Sequence, residues 1–239
     1  MRSMLYGIGA MSLLLPFTAS VEAASLRVAP TNIELLAPGS AGVFSLANDG
    51  NSAINVQIRV FRWTQIDGVE RLDPTNDVVI SPPATSLAGG KVYAVRVLRI
   101  ANQPVAAEES YRVVVDELPD PARKKAGTVS FVVRYSIPVF FRKPDAAPPK
   151  IVWGVGRVKG KLVVTATNLG GSRLRIADLQ LTRQGKAIGG RNGLVGYVLG
   201  GARMQWVINA DKSVSSGPVI LKGHSDTGPF DAKVAISSR

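Results

Sequence analysis

The chain has 239 residues, a formal net charge of +12, one histidine and no cysteine. Without cysteine it can form neither a disulfide framework nor a cysteine zinc site, and a single histidine excludes a histidine cluster for a metal. Its stability must therefore come from a packed core.

The first residues predict an export signal that takes no part in the fold. Arg2 gives a positive start, residues 8–17 form a short apolar stretch, and residues 21–23 have the small side chains expected before a signal-peptidase cut. The apolar stretch is shorter than the ~20 residues of a membrane span, which favours a cleaved signal peptide at residues 1–23 over an uncleaved anchor. The mature chain would begin near Ala24, outside the cytoplasm.

Strand patterns follow one another roughly every 8–12 residues, separated by Gly, Pro, Asn and Asp, a rhythm typical of β-sandwiches and barrels. No segment has a sustained helical stripe. The segment 143–149 contains three prolines and predicts a linker, because prolines cannot continue a sheet. We therefore predict an all-β protein with a first domain at 24–143, a linker at 144–149 and a second domain at 150–239. The clearest strand patterns are residues 42–46, 53–63, 91–100, 111–115, 151–158, 162–167 and 174–181.

Charge differs sharply between the two halves. Residues 24–149 hold 14 Lys and Arg against 12 Asp and Glu, whereas residues 150–239 hold 14 against 4, a balance of +10. Such an excess favours anionic partners, such as lipopolysaccharide or an acidic protein surface, although a generally basic solvated surface explains it equally well. Nucleic acid is not expected as a partner of an exported chain whose basic residues lack interleaved aromatics.

Catalytic residues are scarce. The only histidine, His224, lies in a Gly-His-Ser-Asp loop, and no Gly-x-Ser-x-Gly sequence accompanies it. The glycine-rich residues 189–193 are not followed by the Gly-Lys-Ser/Thr of a phosphate-binding loop. The sequence therefore argues against an enzyme, a metal site and a cofactor.

Residues 128–141 form the most regular strand pattern. Val129, Phe131, Val133, Tyr135 and Ile137 fall on one face, because successive side chains of a strand alternate between faces. Such a strand completes its own sheet or lends its apolar face to another protein.

Three motifs together resemble a periplasmic pilus chaperone of the chaperone–usher pathway. They are the Tyr-Arg-x-x-x-x-Glu-Leu-Pro run at 111–119, the Ile-Pro-Val-Phe-Phe-Arg-Lys-Pro run at 137–144 and the Val-Arg-Val at 95–97. Weaker matches are Asn48, the Ser-Pro-Pro at 81–83 and Asn168. The resemblance implies two immunoglobulin-like β-sandwiches at an angle, with a cleft that holds a pilus subunit. Such a subunit lacks one strand of its own fold, so its core is open. The resemblance also implies that Val129, Phe131 and Val133 are the donor-strand side chains that fill this opening.

The resemblance implies two further sets of residues. Glu117, Arg142 and Asp226 match an ionic trio that joins the two domains, with ordinary surface charge as the alternative. The best-known branch holds the subunit's terminal carboxylate with two cations, but Asn32 and Pro138 occupy those positions here. This departure resembles the archaic branch and leaves Arg96 and Arg134 as anchor candidates, with Arg99 as a weaker one and simple exposed arginines as the alternative.

The sequence thus predicts a periplasmic chaperone that binds pilus subunits and delivers them to an outer-membrane usher without a cofactor. Its free apolar edge would also allow the chain to pair with itself. The alternative is a secreted β-sandwich adhesin or glycan-binding module with the basic second domain as its active surface.

Overall fold

The computed structural model describes residues 25–119, 131–210 and 214–237, so the predicted signal peptide lies outside the described residues. The regular structure of the described part consists of eighteen β-strands without a helix, which confirms the predicted all-β class. Within that part, no helix is long and apolar enough to cross a membrane.

The first domain packs two sheets face to face. One sheet has the strand order β1-β3-β8-β6, and the other has the order β2-β10-β9-β4-β5, with β7 paired to β4. Side chains at alternate positions of both sheets fill the core, which includes the buried Phe44 of β3 and Phe141 of β10. The strands are β1 (Leu26–Ala29), β2 (Ile33–Leu36), β3 (Ala41–Asn48), β4 (Ile54–Ile66), β5 (Val69–Pro74), β6 (Val78–Ser81), β7 (Ala84–Leu87), β8 (Val92–Arg99), β9 (Glu108–Leu118) and β10 (Arg134–Arg142).

The second domain is one eight-stranded sheet that folds over its own core, in the order β15-β12-β11-β18-β17-β13-β14-β16. Strands β11 and β18 meet through a single parallel pair, Val155 with Ile236. Leu181, Leu221 and Val164 are fully buried in this core. The strands are β11 (Ile151–Val158), β12 (Lys161–Asn168), β13 (Leu174–Arg183), β14 (Lys186–Val198), β15 (Arg203–Val207), β16 (Asn209–Ala210), β17 (Gly217–Ser225) and β18 (Gly228–Ile236).

The proline-rich segment between β10 and β11 is fixed to the second domain. The Gly171 N–H donates to the Ala147 carbonyl over 3.2 Å, and the Leu169 N–H donates to the Lys150 carbonyl over 2.7 Å. A Cβ atom at Gly170 would lie only 2.0 Å from the Pro148 carbonyl oxygen, so only glycine allows the two backbones to approach this closely. The segment is therefore a tethered connection with a set path.

A buried asparagine closes the same kind of turn in each domain. The Nδ2 of Asn48 donates to the carbonyls of Ser52, over 2.8 Å, and Leu87, over 2.9 Å, while its Oδ1 accepts from the Gly50 N–H. Asn168 repeats the arrangement with Ser172, Val198 and Gly170. Both asparagines end a strand, so each satisfies backbone groups that the sheet leaves unpaired.

We expect Asn48→Ala to destabilise the first domain by at least about 2 kcal/mol, because each buried polar group left unpaired costs ~1–3 kcal/mol. Urea denaturation measures the difference. Asn51→Ala is the matched control, since Asn51 is exposed in the same turn. Equal midpoints for the two variants would show that the turn does not depend on the amide.

A charged clamp joins the two sheets of the first domain. Arg99 of β8 holds the carboxylate of Glu109 in β9 through Nε, over 2.8 Å, and Nη2, over 2.7 Å. The Tyr111 hydroxyl donates to the same carboxylate over 3.0 Å. Burial acts to raise the pKa of Glu109, but the hydrogen bonds from Arg99 and Tyr111 outweigh it and hold that pKa below its usual value.

Because the folded pKa of Glu109 is lowered, the clamp stabilises the fold above the ordinary glutamate pKa of ~4.3 and loses this effect as the pH falls through the folded value. We expect Glu109→Gln to lower stability at pH 7 and to reduce the further loss of stability between about pH 5 and pH 3. Chemical denaturation of both proteins across this range gives the comparison. Parallel curves of stability against pH would contradict the assignment.

The two domains meet on the outer face of β4, β9 and β10. Trp63 and Phe140 of the first domain pack with Tyr197 and Leu199 of the second, and all four are buried. The Gln65 side chain crosses the junction, donating to the Tyr197 carbonyl and accepting from the Leu199 N–H, each over 2.9 Å. The junction is therefore a packed interface with directional hydrogen bonds.

Candidate functional site

Strand β10 has an open edge along more than half of its length. On one side it pairs with β9 from Arg134 to Arg142. On the other side β2 pairs with it in parallel, but only from Val139 to Arg142. In the described part of the chain, no strand covers the second side of residues 134–138. This stretch leaves backbone N–H and C=O groups free to pair with an added strand.

The side chains of this strand change from exposed to buried along its length. Phe131, just before β10, is 80% exposed. Val133 is partly buried, and its carbonyl accepts from the Glu117 N–H. Tyr135 and Ile137 contribute to the domain's own core, and the Tyr135 hydroxyl donates to the Leu26 carbonyl over 2.6 Å. Val129 lies outside the described residues, and the donor role of Val129, Phe131 and Val133 stays a prediction.

The structure does not bring the two predicted anchor arginines together. Arg96 lies on the outer face of the four-stranded sheet, between Val43 and Ser81. Arg134 lies on the outer face of the opposite sheet, where it pairs with Asp116. Because the core separates these faces, the two guanidinium groups cannot meet one carboxylate, and only Arg134 borders the open edge. Arg99, the weaker candidate, is committed to the clamp with Glu109.

The predicted ionic trio also does not assemble. The Glu117 backbone pairs with Val133 at the beginning of β10, whereas Arg142 ends that strand, so the two lie about 30 Å apart at ~3.3 Å per residue. Asp226 is exposed in the turn between β17 and β18. The reason is register, since the motif positions fall at opposite ends of the β9–β10 ladder.

A different arginine takes the place predicted for Arg142, between two carboxylates at the domain junction. Arg173 of the second domain donates from Nη1 to Glu108 over 2.5 Å and from Nη2 to Glu34. Its backbone N–H also donates to Glu108, over 2.9 Å. The guanidinium lies 3.5 Å from the centre of the Phe140 ring. The side chains of Arg173 and Glu108 are 6% and 2% exposed, and that of Glu34 is 50% exposed.

The electrostatics of this cluster follow from its geometry. Burial acts to raise the pKa of Glu34, but hydrogen bonds from Arg173 and Asn32 and the charge of Arg142 hold that pKa below its usual value. Arg142 is the register partner of Glu108. The sequence analysis missed Arg173 because only the tertiary structure places it against two glutamates that lie 65 or more residues earlier in the chain.

The family model of the pili and flagellar-assembly chaperone, PapD N-terminal domain, matches residues 25–147. This chain belongs to that family. The membership confirms the predicted chaperone resemblance and disfavours the adhesin alternative. No curated protein sequence matches the chain significantly.

Solved structures of pilus chaperones resemble this chaperone over nearly its whole length. A structure of the CsuC–CsuE chaperone–tip adhesion subunit complex, from archaic chaperone–usher Csu pili of Acinetobacter baumannii, is 26% identical with a TM-score of 0.67, covering 89% of this chain and 98% of that chain. The E. coli chaperone DraB is 21% identical with a TM-score of 0.60, covering 88% of this chain and 97% of that chain. A structure of Salmonella enterica SafA pilin with the SafB chaperone is 18% identical with a TM-score of 0.61, covering 89% and 98%. The similarity to the DraB and SafB structures shows a shared fold only.

Proposed function

We propose that this chaperone acts in the periplasm, binds a pilus subunit by lending it strand β10 together with residues 129–133 that precede it, and delivers the subunit to an outer-membrane usher. Its similarity to an archaic chaperone in complex with a tip adhesion subunit supports a pilus subunit as the partner. The observation that carries the proposal is the open edge of residues 134–138 beside the exposed Phe131.

Strand addition explains why an edge and an apolar row lie together. The free backbone groups of β10 pair with any added strand regardless of its sequence, while alternate side chains provide the fit. Val129, Phe131 and Val133 occupy alternate positions and so would present their side chains on one face, where they would enter pockets of the subunit. Burying each of them contributes ~1.5–3 kcal/mol before the cost of ordering is subtracted. The binding energy would thus come from completing the fold of the subunit.

Co-expression with the products of neighbouring genes tests the proposal. The expected result is a complex of one chaperone with one subunit in the periplasmic extract, with residues 1–23 removed from the chaperone. Light scattering of the purified proteins adds a second measurement, because the uncovered edge should let the free chaperone self-associate and a bound subunit should prevent this. The proposal would be contradicted if the chaperone is exported but purifies without a bound partner when it is co-expressed with each of the subunits.

A further inference from the structure

We infer that the distal tip of the second domain binds membrane surfaces that contain anionic phospholipid. The distal tip comprises the β11–β12 turn, the β13–β14 turn and residues 214–216, which lead into β17, together with the strand ends beside them. The inference is independent of subunit binding, because the open edge of β10 belongs to the other domain. It gives a role to the basic excess of residues 150–239.

Two arginines bring the parts of the distal tip together. Arg157, near the end of β11, donates from Nη2 to the Val214 carbonyl. Arg183, at the end of β13, donates from Nη1 to the Ser215 hydroxyl over 2.7 Å and from Nη2 to the Ser215 carbonyl over 2.8 Å. Since Val214 and Ser215 are adjacent, both turns lie against one short segment. All these acceptors are uncharged, so the bonds leave both positive charges uncompensated.

Four lysines add to the charge of the distal tip. Lys159 and Lys161 lie in and beside the β11–β12 turn, Lys186 begins β14, and Lys233 lies on β18 opposite Ile220 of β17. All four side chains are exposed. In the part of the chain that the structure describes, none of them forms an ion pair.

Carboxylates do not offset this charge among the described residues. The second domain contributes three there, and all of them lie outside the distal tip. Asp231 pairs with Lys222 over 3.2 Å, and Asp178 lies 3.9 Å from the His224 imidazole. Asp226 is in the β17–β18 turn, at the opposite end of those strands. The distal tip therefore presents an uncompensated positive surface.

The distal tip lies far from the domain junction. Arg173 contacts the first domain just before β13, whereas Arg183 ends that strand. About 30 Å of strand separates the two at ~3.3 Å per residue. A membrane at the distal tip therefore leaves the junction and β10 accessible to a subunit.

The chemistry of the distal tip favours a lipid surface over a protein partner. Protein interfaces are depleted in lysine and enriched in aromatic residues, whereas a lysine is a compact point charge that suits mobile anionic headgroups. Lysine supplies most of the charge here, and the described part of the distal tip exposes no aromatic side chain. The exposed apolar side chains beside the lysines are Val158, Val207 and Ile220, which are short enough to enter the headgroup region.

An open groove in the distal tip suits the phosphate of one lipid. Its volume is about 770 Å³, and Arg183 and Lys233 both line it. Ser216 adds a hydroxyl, while Pro218 and Ile220 add apolar surface. None of the described residues that line the groove is a carboxylate. Two cations beside an apolar wall match a phosphate that carries an apolar tail.

Co-sedimentation of the purified chaperone with lipid vesicles tests the inference. The vesicles contain phosphatidylcholine alone or with about one third phosphatidylglycerol, whose headgroup is anionic. We expect binding to the anionic vesicles alone, and we expect it to weaken as salt rises, because salt screens exposed charges. Each lysine near an anionic surface contributes about fivefold in affinity. A variant that combines Lys159→Gln, Lys161→Gln, Lys186→Gln and Lys233→Gln should therefore bind at least about thirtyfold more weakly.

The control removes the same number of exposed cations elsewhere, by combining Arg71→Gln, Lys91→Gln, Arg191→Gln and Arg203→Gln. Its net charge equals that of the distal-tip variant, and we expect it to bind the anionic vesicles nearly as tightly as wild type. Both variants should keep the wild-type melting temperature, since every replaced side chain is exposed.

Three results would overturn the inference. The first is a wild-type chaperone that does not sediment with the anionic vesicles. The second is an equal loss of binding in both variants, which would show that net charge alone governs the interaction. The third is tighter binding to soluble polyglutamate than to the anionic vesicles, which would assign the distal tip to an acidic protein surface instead.

Discussion

Replacing Arg173 with alanine should lower the free energy of unfolding by about 3–5 kcal/mol, because it leaves a buried carboxylate without its partner. The Glu108 side chain is 2% exposed, and its only side-chain ion pair in the described part of the chain is with Arg173. The domain junction should loosen as well, since the guanidinium also packs on Phe140. Urea denaturation monitored by tryptophan fluorescence measures this loss of stability, because Trp63 is buried in the same junction.

Arg142→Ala is the matched control for this effect. Arg142 lies at the same end of β10, and its motif, rather than that of Arg173, predicted the ionic trio. We expect its removal to cost less than about 1 kcal/mol, because Arg142 is only partly buried and acts on Glu34 through its charge alone. Small-angle scattering should show a broader range of interdomain distances for Arg173→Ala than for Arg142→Ala. Equal losses of stability in both variants would refute the assignment of the junction to Arg173.

Phe131→Asp should abolish subunit capture while leaving the melting temperature of the free chaperone almost unchanged. The side chain is 80% exposed, so the chaperone's own core loses nothing. In the complex, however, the new charge would enter an apolar pocket without a partner. Co-purification with the subunit and a melting curve of the free protein together measure both effects.

Phe141→Ala provides the opposite pattern and serves as the control. Phe141 is fully buried and packs edge-on against Tyr111, with the centres of the two rings 5.8 Å apart. Its truncation should cost about 3–5 kcal/mol through loss of burial and the cavity left behind. If Phe131→Asp also collapses the melting curve of the free chaperone, Phe131 belongs to the core and the donor-strand proposal fails.

Local sequence patterns were enough to predict which residues form strands and where many of these strands end. The period of two in residues 128–141 places Tyr135 and Ile137 on one face, and both do contribute to the core. Turn residues and prolines predicted the boundaries of strands, because glycine and proline act on the backbone at their own positions. Asn48 and Asn168 entered the prediction only as weaker matches of the family resemblance, and it is the structure that shows each of them bonded to a turn within four residues.

The same patterns could not show which faces and ends of strands lie together. Arg96 and Arg134 each alternate with apolar neighbours, yet they lie on the outer faces of opposite sheets. Strand pairing decides this, and pairing depends on contacts between distant parts of the chain. Register likewise separated Glu117 from Arg142 and left the open edge at residues 134–138.

The sequence by itself thus determined the all-β class, the alternation of the edge strand and the family. Only the tertiary structure decided which charges meet, because Glu34, Glu108 and Arg173 come from three distant segments and two domains. Their positions have no local pattern, since an ion pair between domains requires only proximity in space and imposes no spacing on the chain.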